Sequence, residues 1–269
     1  MSNILLRAIT GFFFILIIIG SLIGGNTSTM IVMSLFAILG LNEFYNLFKN
    51  HPTVELDKPI AFILSAIIFL ISVCIVNESI DQKYAILIIP TIFLLFIPEL
   101  YLKRTNPILN ISIVILGLIY VLLPFILVID LNHFSTSKNP LVVGMFLLIW
   151  TNDTFAYLSG RFFGKTKLFE RISPKKTWEG TVGGILFTLL VAYFISFWSN
   201  DLPLSFWLIA ALIIAPCSIF GDLIESLFKR SLNIKDSGNI LPGHGGILDR
   251  FDAAIFSIPF FYALVIFYS

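Results

Sequence analysis

Charged residues are scarce in this sequence: lysine, arginine, aspartate and glutamate make up 12% of its 269 residues, about half the fraction typical of soluble proteins. The formal net charge is +1, so no excess of either sign indicates a partner. Cysteine is nearly absent, and Cys74 and Cys217 both lie in apolar runs, which excludes a disulfide framework and a cysteine-based zinc site. With 58% hydrophobic residues, the composition excludes a soluble globular enzyme, a disordered chain and a basic nucleic-acid-binding protein.

Long apolar runs are what the sequence has in abundance, and they predict an all-α, polytopic membrane bundle of about nine transmembrane helices. The fourth span is short and contains Pro90 and Pro98, and the third to fifth are the ones most easily merged or broken. No small-residue cleavage site follows the first span, so we expect it to be retained. The predicted spans are residues 4–24, 28–48, 59–77, 84–101, 108–130, 140–160, 179–199, 204–227 and 250–268.

Lysine and arginine are distributed unevenly between the two sets of connections that nine spans create. The set that includes the N-terminal end contains 15 of them and the other contains 2, which predicts a cytoplasmic N-terminus. Residues 1–140 contain 14 charged positions and residues 141–269 contain 19. We therefore predict an N-terminal scaffold over 1–140, with oligomer contacts as one role, and a catalytic region over 141–269 with cytoplasmic loops 161–178 and 228–249.

Acidic side chains within the predicted spans are costly in hydrocarbon and are therefore functional candidates. Asp222, Glu225 and Lys229 share one helix face, and Asp249 and Asp252 are one turn apart. Carboxylates on facing helices are ligands for Mg²⁺. Salt bridges such as Glu225–Lys229 and Asp249–Arg250 are an equally weighted alternative. The outlier is Glu43, which we expect to reach the interface or close a helix contact.

Two connections are suited to phosphate. In the sequence from Ser173 to Gly180, two lysines precede a predicted turn and helix N-cap, an arrangement that binds phosphate, although anionic lipid headgroups alone would also explain the basic charge. In the later connection, Gly243, Gly245 and Gly246 allow close backbone approach to an anion, the alternative being a flexible turn. His244 is expected to form loop hydrogen bonds.

Residues 226–252 contain four short motifs in order: Ser-Leu-Phe-Lys-Arg, Lys-Asp, His-Gly-Gly and Asp-Arg-Phe-Asp. Together they resemble the signature of the phosphatidate cytidylyltransferases, also called CDP-diacylglycerol synthases. Residues 152–165 and 173–180 are similar to further motifs of that family. The resemblance implies that phosphatidic acid and CTP give CDP-diacylglycerol and pyrophosphate. It also implies a requirement for Mg²⁺, a second cation (K⁺ or another Mg²⁺), Asp222 and Asp249 as metal ligands, a homodimer, and the inner membrane as location.

These observations together give a set of site residues. We hypothesise that catalysis depends on Asp222, Asp249, Lys176 and Arg250. Substrate binding is assigned to Lys175, Thr177, Lys229, Arg230, Lys235, Gly245, Gly246 and Asp153. Glu179, Glu225 and Asp252, together with Asp153, are candidates for supporting the metal ligands or holding a further cation.

Two other functions compete with this one. A CTP-dependent polyprenol or phytol kinase would transfer the γ-phosphate and release CDP. A lipid or ion transporter would place polar residues on both sides of the membrane midplane, whereas here they gather on one side. A CDP-alcohol phosphotransferase is disfavoured because the sequence contains no Asp-Gly dipeptide.

Overall fold

The computed structural model describes residues 3–49, 51–135, 141–199, 202–240 and 245–268, with side chains from Ile9 onward. Over these residues the chain forms nine helical segments and one short hairpin. The elements are α1 (Asn3–Ile23), α2 (Asn26–Leu47), α3 (Lys58–Val76), α4 (Gln82–Tyr101), α5 (Pro107–Phe134), α6 (Leu141–Phe163), β1 (Lys167–Phe169), β2 (Ser173–Thr177), α7 (Trp178–Trp198), α8 (Leu204–Ser231) and α9 (Leu248–Tyr268).

The predicted all-α membrane architecture is confirmed, since each of the nine predicted spans corresponds to one of these helical segments. Eight of them, α2 to α9, are at least 18 residues long and apolar enough to cross a membrane. The first helix, α1, is 21 residues long. The part of α1 whose side chains are described, Ile9–Ile23, is apolar but shorter than 18 residues.

Two of the spans that were expected to be fragile are irregular. The fourth, α4, alternates between 3₁₀ and α-helical turns, because Pro90 and Pro98 each remove a backbone donor. The fifth, α5, contains a π-helical stretch, Gly117–Leu122. Neither irregularity merges neighbouring spans.

The chain divides into two compact units, the first comprising residues 1–130 and 236–248 and the second residues 131–235 and 249–269. In the first, α2 and α3 are joined by a buried hydrogen bond between the Tyr45 hydroxyl and Ser65 Oγ, at 2.8 Å. Arg104 forms ion pairs with Glu99 at 2.7 Å and with Asp57 at 3.3 Å. The functional division that charge suggested at residue 140 stays a prediction.

The second unit is built on the packing of α6, α7 and α8. Trp207 of α8 is completely buried against Gly144 of α6, and the rings of Phe155 and Phe187 stack with centroids 3.8 Å apart. A small residue packed against an aromatic one, and two stacked rings, thus join these helices by close apolar contact.

The antiparallel hairpin β1–β2 occupies the basic connection between α6 and α7 and pairs Lys167 with Thr177. It was not predicted, because five residues are too few to show strand alternation. The predicted N-cap is confirmed: Thr177 Oγ1 accepts a hydrogen bond from the Gly180 amide at 3.2 Å, and α7 begins at Trp178. The hairpin therefore leads directly into a capped helix.

Candidate active site

The candidate site is based on the close packing of α8 against α9. At Gly221 a side chain would collide with the main-chain oxygen of Asp252, 2.5 Å from where its Cβ would be. One turn away, Ser218 and Ser257 are hydrogen-bonded at 3.3 Å. The helices run antiparallel, and the acidic residues on their ends come together because glycine allows this approach.

The buried part of the site is a lysine between two carboxylates. Lys229 Nζ lies 2.6 Å from Glu225 Oε2 and 2.6 Å from Asp249 Oδ1. The side chains of Glu225 and Asp249 are only 5% and 8% exposed. The Glu225–Lys229 salt bridge, which the sequence left open as an alternative to a metal site, is present, and the same lysine also binds Asp249.

The accessible part of the site contains Lys176 and Asp222. Lys176 Nζ lies 2.7 Å from Asp222 Oδ2 and donates to the Ile219 carbonyl at 3.3 Å. Strand alternation in β2 turns Lys176 toward α8 while its neighbour Lys175 is exposed. Asp222 retains 37% exposure, so this part of the site is open to a ligand.

Two further carboxylates complete the site. Asp153 on α6 is accessible. It is close enough to Lys176 to be attracted by the ammonium group, and close enough to Asp222 and Asp252 to be repelled by their carboxylates. Asp252 also interacts with Glu225, and so links the accessible part of the site to the buried part. We call these seven side chains the carboxylate cluster: Asp153, Lys176, Asp222, Glu225, Lys229, Asp249 and Asp252.

The charge of the carboxylate cluster favours a cation. Five carboxylates face two ammonium groups, so three negative charges remain uncompensated within the cluster when every carboxyl group is ionised. Glu225 Oε1 is buried and has no hydrogen-bond partner in the described part of the chain. Oxygen donors with spare charge are the ligands that Mg²⁺ prefers, so the residues fit the ion that the resemblance implies.

The cluster does not form a closed protein cage for a metal. Among the described residues, no group of three histidine, cysteine, aspartate or glutamate side chains is arranged to hold a metal ion. The two proposed ligands, Asp222 and Asp249, are ion-paired with different lysines. A Mg²⁺ ion here would draw further ligands from water and phosphate oxygens, as is usual for this ion at phosphoryl-transfer sites.

The remaining predicted residues lie outside the carboxylate cluster. Thr177 is buried as the N-cap of α7, so its hydroxyl shapes the turn after Lys176. Arg230 is exposed and donates to the Ile234 carbonyl at 3.2 Å. Lys175, Lys235 and Arg250 are also exposed and so are accessible to an anion.

Glu179 and the glycine segment have local structural roles. The Glu179 carboxylate accepts hydrogen bonds from the backbone amides of Lys165 and Thr166, at 3.1 Å each, and so closes the turn before β1. Gly245 has a φ of 82°, a conformation that favours glycine, and Gly246 is buried. Gly243 and His244 lie outside the described residues.

Comparison with known proteins gives one family over nearly the whole chain. The model of the cytidylyltransferase family matches residues 5–268. The chain belongs to this family. It is 33% identical to a phosphatidate cytidylyltransferase of Staphylococcus haemolyticus over 97% of its own length and 98% of the relative's. It is 36% identical to the enzyme of that name from Bacillus subtilis over 66% of each chain. A third cytidylyltransferase-family relative, the phosphatidate cytidylyltransferase of Haemophilus influenzae, is 40% identical over 52% of each chain.

The family resemblance predicted from the motifs is confirmed. The match also extends over the N-terminal half, where the sequence offered only a weakly patterned succession of spans. The family match therefore covers the N-terminal helices together with the region that carries the motifs.

Proposed function

We propose that this protein transfers the cytidylyl group of CTP to phosphatidic acid and produces CDP-diacylglycerol and pyrophosphate for phospholipid synthesis. The observation that carries the proposal is the carboxylate cluster, which presents lysines and spare negative charge at the packed ends of α8 and α9. Membership of the cytidylyltransferase family and relatives named phosphatidate cytidylyltransferase support the same reaction.

The reaction needs charge control more than proton transfer. A phosphate oxygen of phosphatidate attacks the α-phosphorus of CTP, and the bond from that phosphorus to the oxygen bridging to the β-phosphate breaks. The electron pair leaves with pyrophosphate. Since phosphatidate is already an anion, no strong general base is required, and the main barrier is bringing two anions together.

A cation is the group that best lowers this barrier. We assign Mg²⁺ to Asp222 and Asp249, with Asp153, Glu225 and Asp252 as supporting carboxylates or ligands of a second cation, K⁺ or another Mg²⁺. When bound, the metal would neutralise phosphate charge and orient the triphosphate. The two aspartates lie on adjacent helices, and each is ion-paired with a different lysine.

The lysines and arginines would act on the phosphate groups themselves. Lys176 is partly accessible and lies beside the most exposed carboxylate of the α8–α9 pair, so it is placed to neutralise a phosphate that approaches Asp222. Four more basic side chains are exposed and would attract the anionic substrates: Lys175 in the connection before α7, and Arg230, Lys235 and Arg250 at or near the connection between α8 and α9. The backbone amides around Gly245 and Gly246 would bind the triphosphate.

The lipid substrate explains why the enzyme is a multi-pass membrane protein. The acyl chains of phosphatidate remain in hydrocarbon while its headgroup meets CTP at the surface. We place this surface on the cytoplasmic side of the inner membrane, because 15 of the 17 lysines and arginines fall in one set of connections. We also propose that the site opens laterally toward the bilayer and that the protein is a homodimer.

The decisive experiment measures products made by purified protein from phosphatidate and radiolabelled CTP. The wild type should release CDP-diacylglycerol and pyrophosphate, whereas Asp222→Asn and Asp249→Asn should lose most activity while remaining folded. Asp81→Asn is the matched control, because Asp81 is 60% exposed and caps a turn that asparagine can also cap. Near-wild-type product from either cluster variant would defeat the metal assignment. Release of CDP with a lipid phosphate would instead indicate a polyprenol-type kinase, and solute movement without nucleotide turnover would indicate a transporter.

A further inference from the structure

Glu43 is a buried carboxylate in the first unit, near the end of α2. Glu43 is only 3% exposed. It belongs to a helix that is apolar enough to span a membrane. A buried carboxylate is costly unless its oxygens are used, so its contacts should reveal what it does. The contacts described below are with the first residue of α9 and with two glycines that precede it in the chain.

The first contact is with the start of α9. Glu43 Oε2 accepts a hydrogen bond from the backbone amide of Leu248 at 2.9 Å. Leu248 is the first residue of α9, where amide groups have no partner within the helix and where negative charge is favourable. Glu43 therefore caps α9 from a distant position in the sequence. It closes a helix contact, as one of the two expectations for it stated.

The second contact is with two glycines. A Cβ atom at Gly238 would overlap Glu43 Oε1, and the three atoms nearest to it would all belong to Glu43. A Cβ atom at Gly246 would overlap the same oxygen and also Ser237 Oγ. The glycines therefore leave space for the carboxylate. One carboxylate therefore contacts two glycines that are eight positions apart in the sequence.

We propose that Glu43 is a positioning residue for the cytidylyl transfer: it clamps Gly238, Gly246 and the amide of Leu248, the first residue of α9. Asp249 follows Leu248 directly in the chain, so the backbone that carries a proposed metal ligand begins at the clamped amide. Glu43 acts through this backbone and not on the substrate. The part of this inference that concerns CTP rests on the proposed function.

A double-mutant cycle tests the clamp. Glu43→Ala should raise KM for CTP and lower kcat/KM at least tenfold, and should speed hydrogen exchange of the Leu248 amide. Glu43→Gln should recover much of both, since its amide oxygen still accepts a hydrogen bond. Gly238→Ala alone should be damaging, but in the Glu43→Ala background it should add little, because the atoms it would strike are gone.

Gly20→Ala is the control, because a Cβ at Gly20 meets nothing within 4 Å. Additive losses in the cycle, or unchanged exchange at Leu248 in Glu43→Ala, would overturn the clamp. Hydrogen exchange and unfolding are measured on protein without substrate, so they report on the clamp even if the wild type makes no CDP-diacylglycerol. That last result would count against the proposed function alone.

Discussion

Lys176 binds Asp222 with a distance of 2.7 Å between Nζ and Oδ2, although one residue lies in a hairpin strand and the other in a membrane-spanning helix. The contact depends on the short β2 strand, which ends one residue later at the N-cap of α7. It couples a basic connection to the acidic helix pair, and several expected outcomes follow from it.

Lys176→Met should lower kcat about 100-fold, because it removes a positive charge from the place where two anionic substrates meet. Lys176→Arg should retain part of the activity, since the charge remains but its geometry differs. The measurement is steady-state synthesis of CDP-diacylglycerol in detergent micelles, with Lys83→Met as the exposed control. Equal activity of Lys176→Met and the wild type would remove this lysine from the catalytic set.

Lys229→Met should destabilise the fold by about 3 kcal/mol, because it leaves the carboxylates of Glu225 and Asp249 buried without their shared cation. Adding Glu225→Gln should restore part of that loss. Denaturant unfolding in micelles measures both. Lys83→Met again serves as control, since its partner Asp81 is exposed and surface pairs contribute little. If Lys229→Met alone were as stable as the wild type, the ion pairs of Lys229 with Glu225 and Asp249 would not stabilise the fold.

Removal of divalent cations should abolish synthesis, and Mg²⁺ should restore it. Asp222→Glu should need a higher Mg²⁺ concentration than the wild type for half-maximal activity, because the longer side chain displaces the oxygen ligands. Titrating Mg²⁺ with and without K⁺ separates one cation from two. Full activity in the presence of a chelator would refute the assignment of Mg²⁺ to the carboxylate cluster.

Thr177→Ala should lower the free energy of unfolding by about 1 kcal/mol, because the Gly180 amide loses its cap. It should also lower kcat, since the turn sets the position of Lys176, and Thr177→Ser should rescue both. The matched control is Thr181→Ala, because that hydroxyl donates to the Thr177 carbonyl and caps no helix amide in the described part of the chain. A loss in Thr177→Ala that serine does not rescue would argue against a capping role.

The topology can be tested by labelling single cysteines in a variant in which Cys74 and Cys217 are replaced by alanine. K235C should react with a membrane-impermeant maleimide only in inside-out vesicles, and K83C only in right-side-out vesicles. Both side chains are exposed, so labelling reports on the side of the membrane. The reverse pattern would place the active site outside.

The spans and part of the site could be predicted because their signals are local. Twenty apolar residues in a row have few alternatives to a membrane helix, and the spacing of Glu225 and Lys229 places them on adjacent turns. An N-cap within residues 173–180 could be predicted for the same reason, since the contact between Thr177 and Gly180 joins residues three apart.

The contacts that organise the site could not be predicted, because they join residues that are distant in sequence. Nothing in the spacing indicates that Lys176 binds Asp222, since the contact requires a hairpin too short to show a pattern. Similarly, Glu43 is recognisable as an unusual charge, but its contacts with Gly238 and Leu248 depend on the tertiary fold.

The absence of a side chain at Gly221 has a wider consequence than the local fit. The Asp252 carbonyl rests on this position, and Asp222 is the next residue in the chain. A methyl group added at Gly221 would push α8 and α9 apart. Because Asp222 and Asp252 lie at this contact, the distance between the two helices also sets how close their carboxylates can come. Glycine at this position is therefore a steric requirement for bringing Asp222 and Asp252 close together.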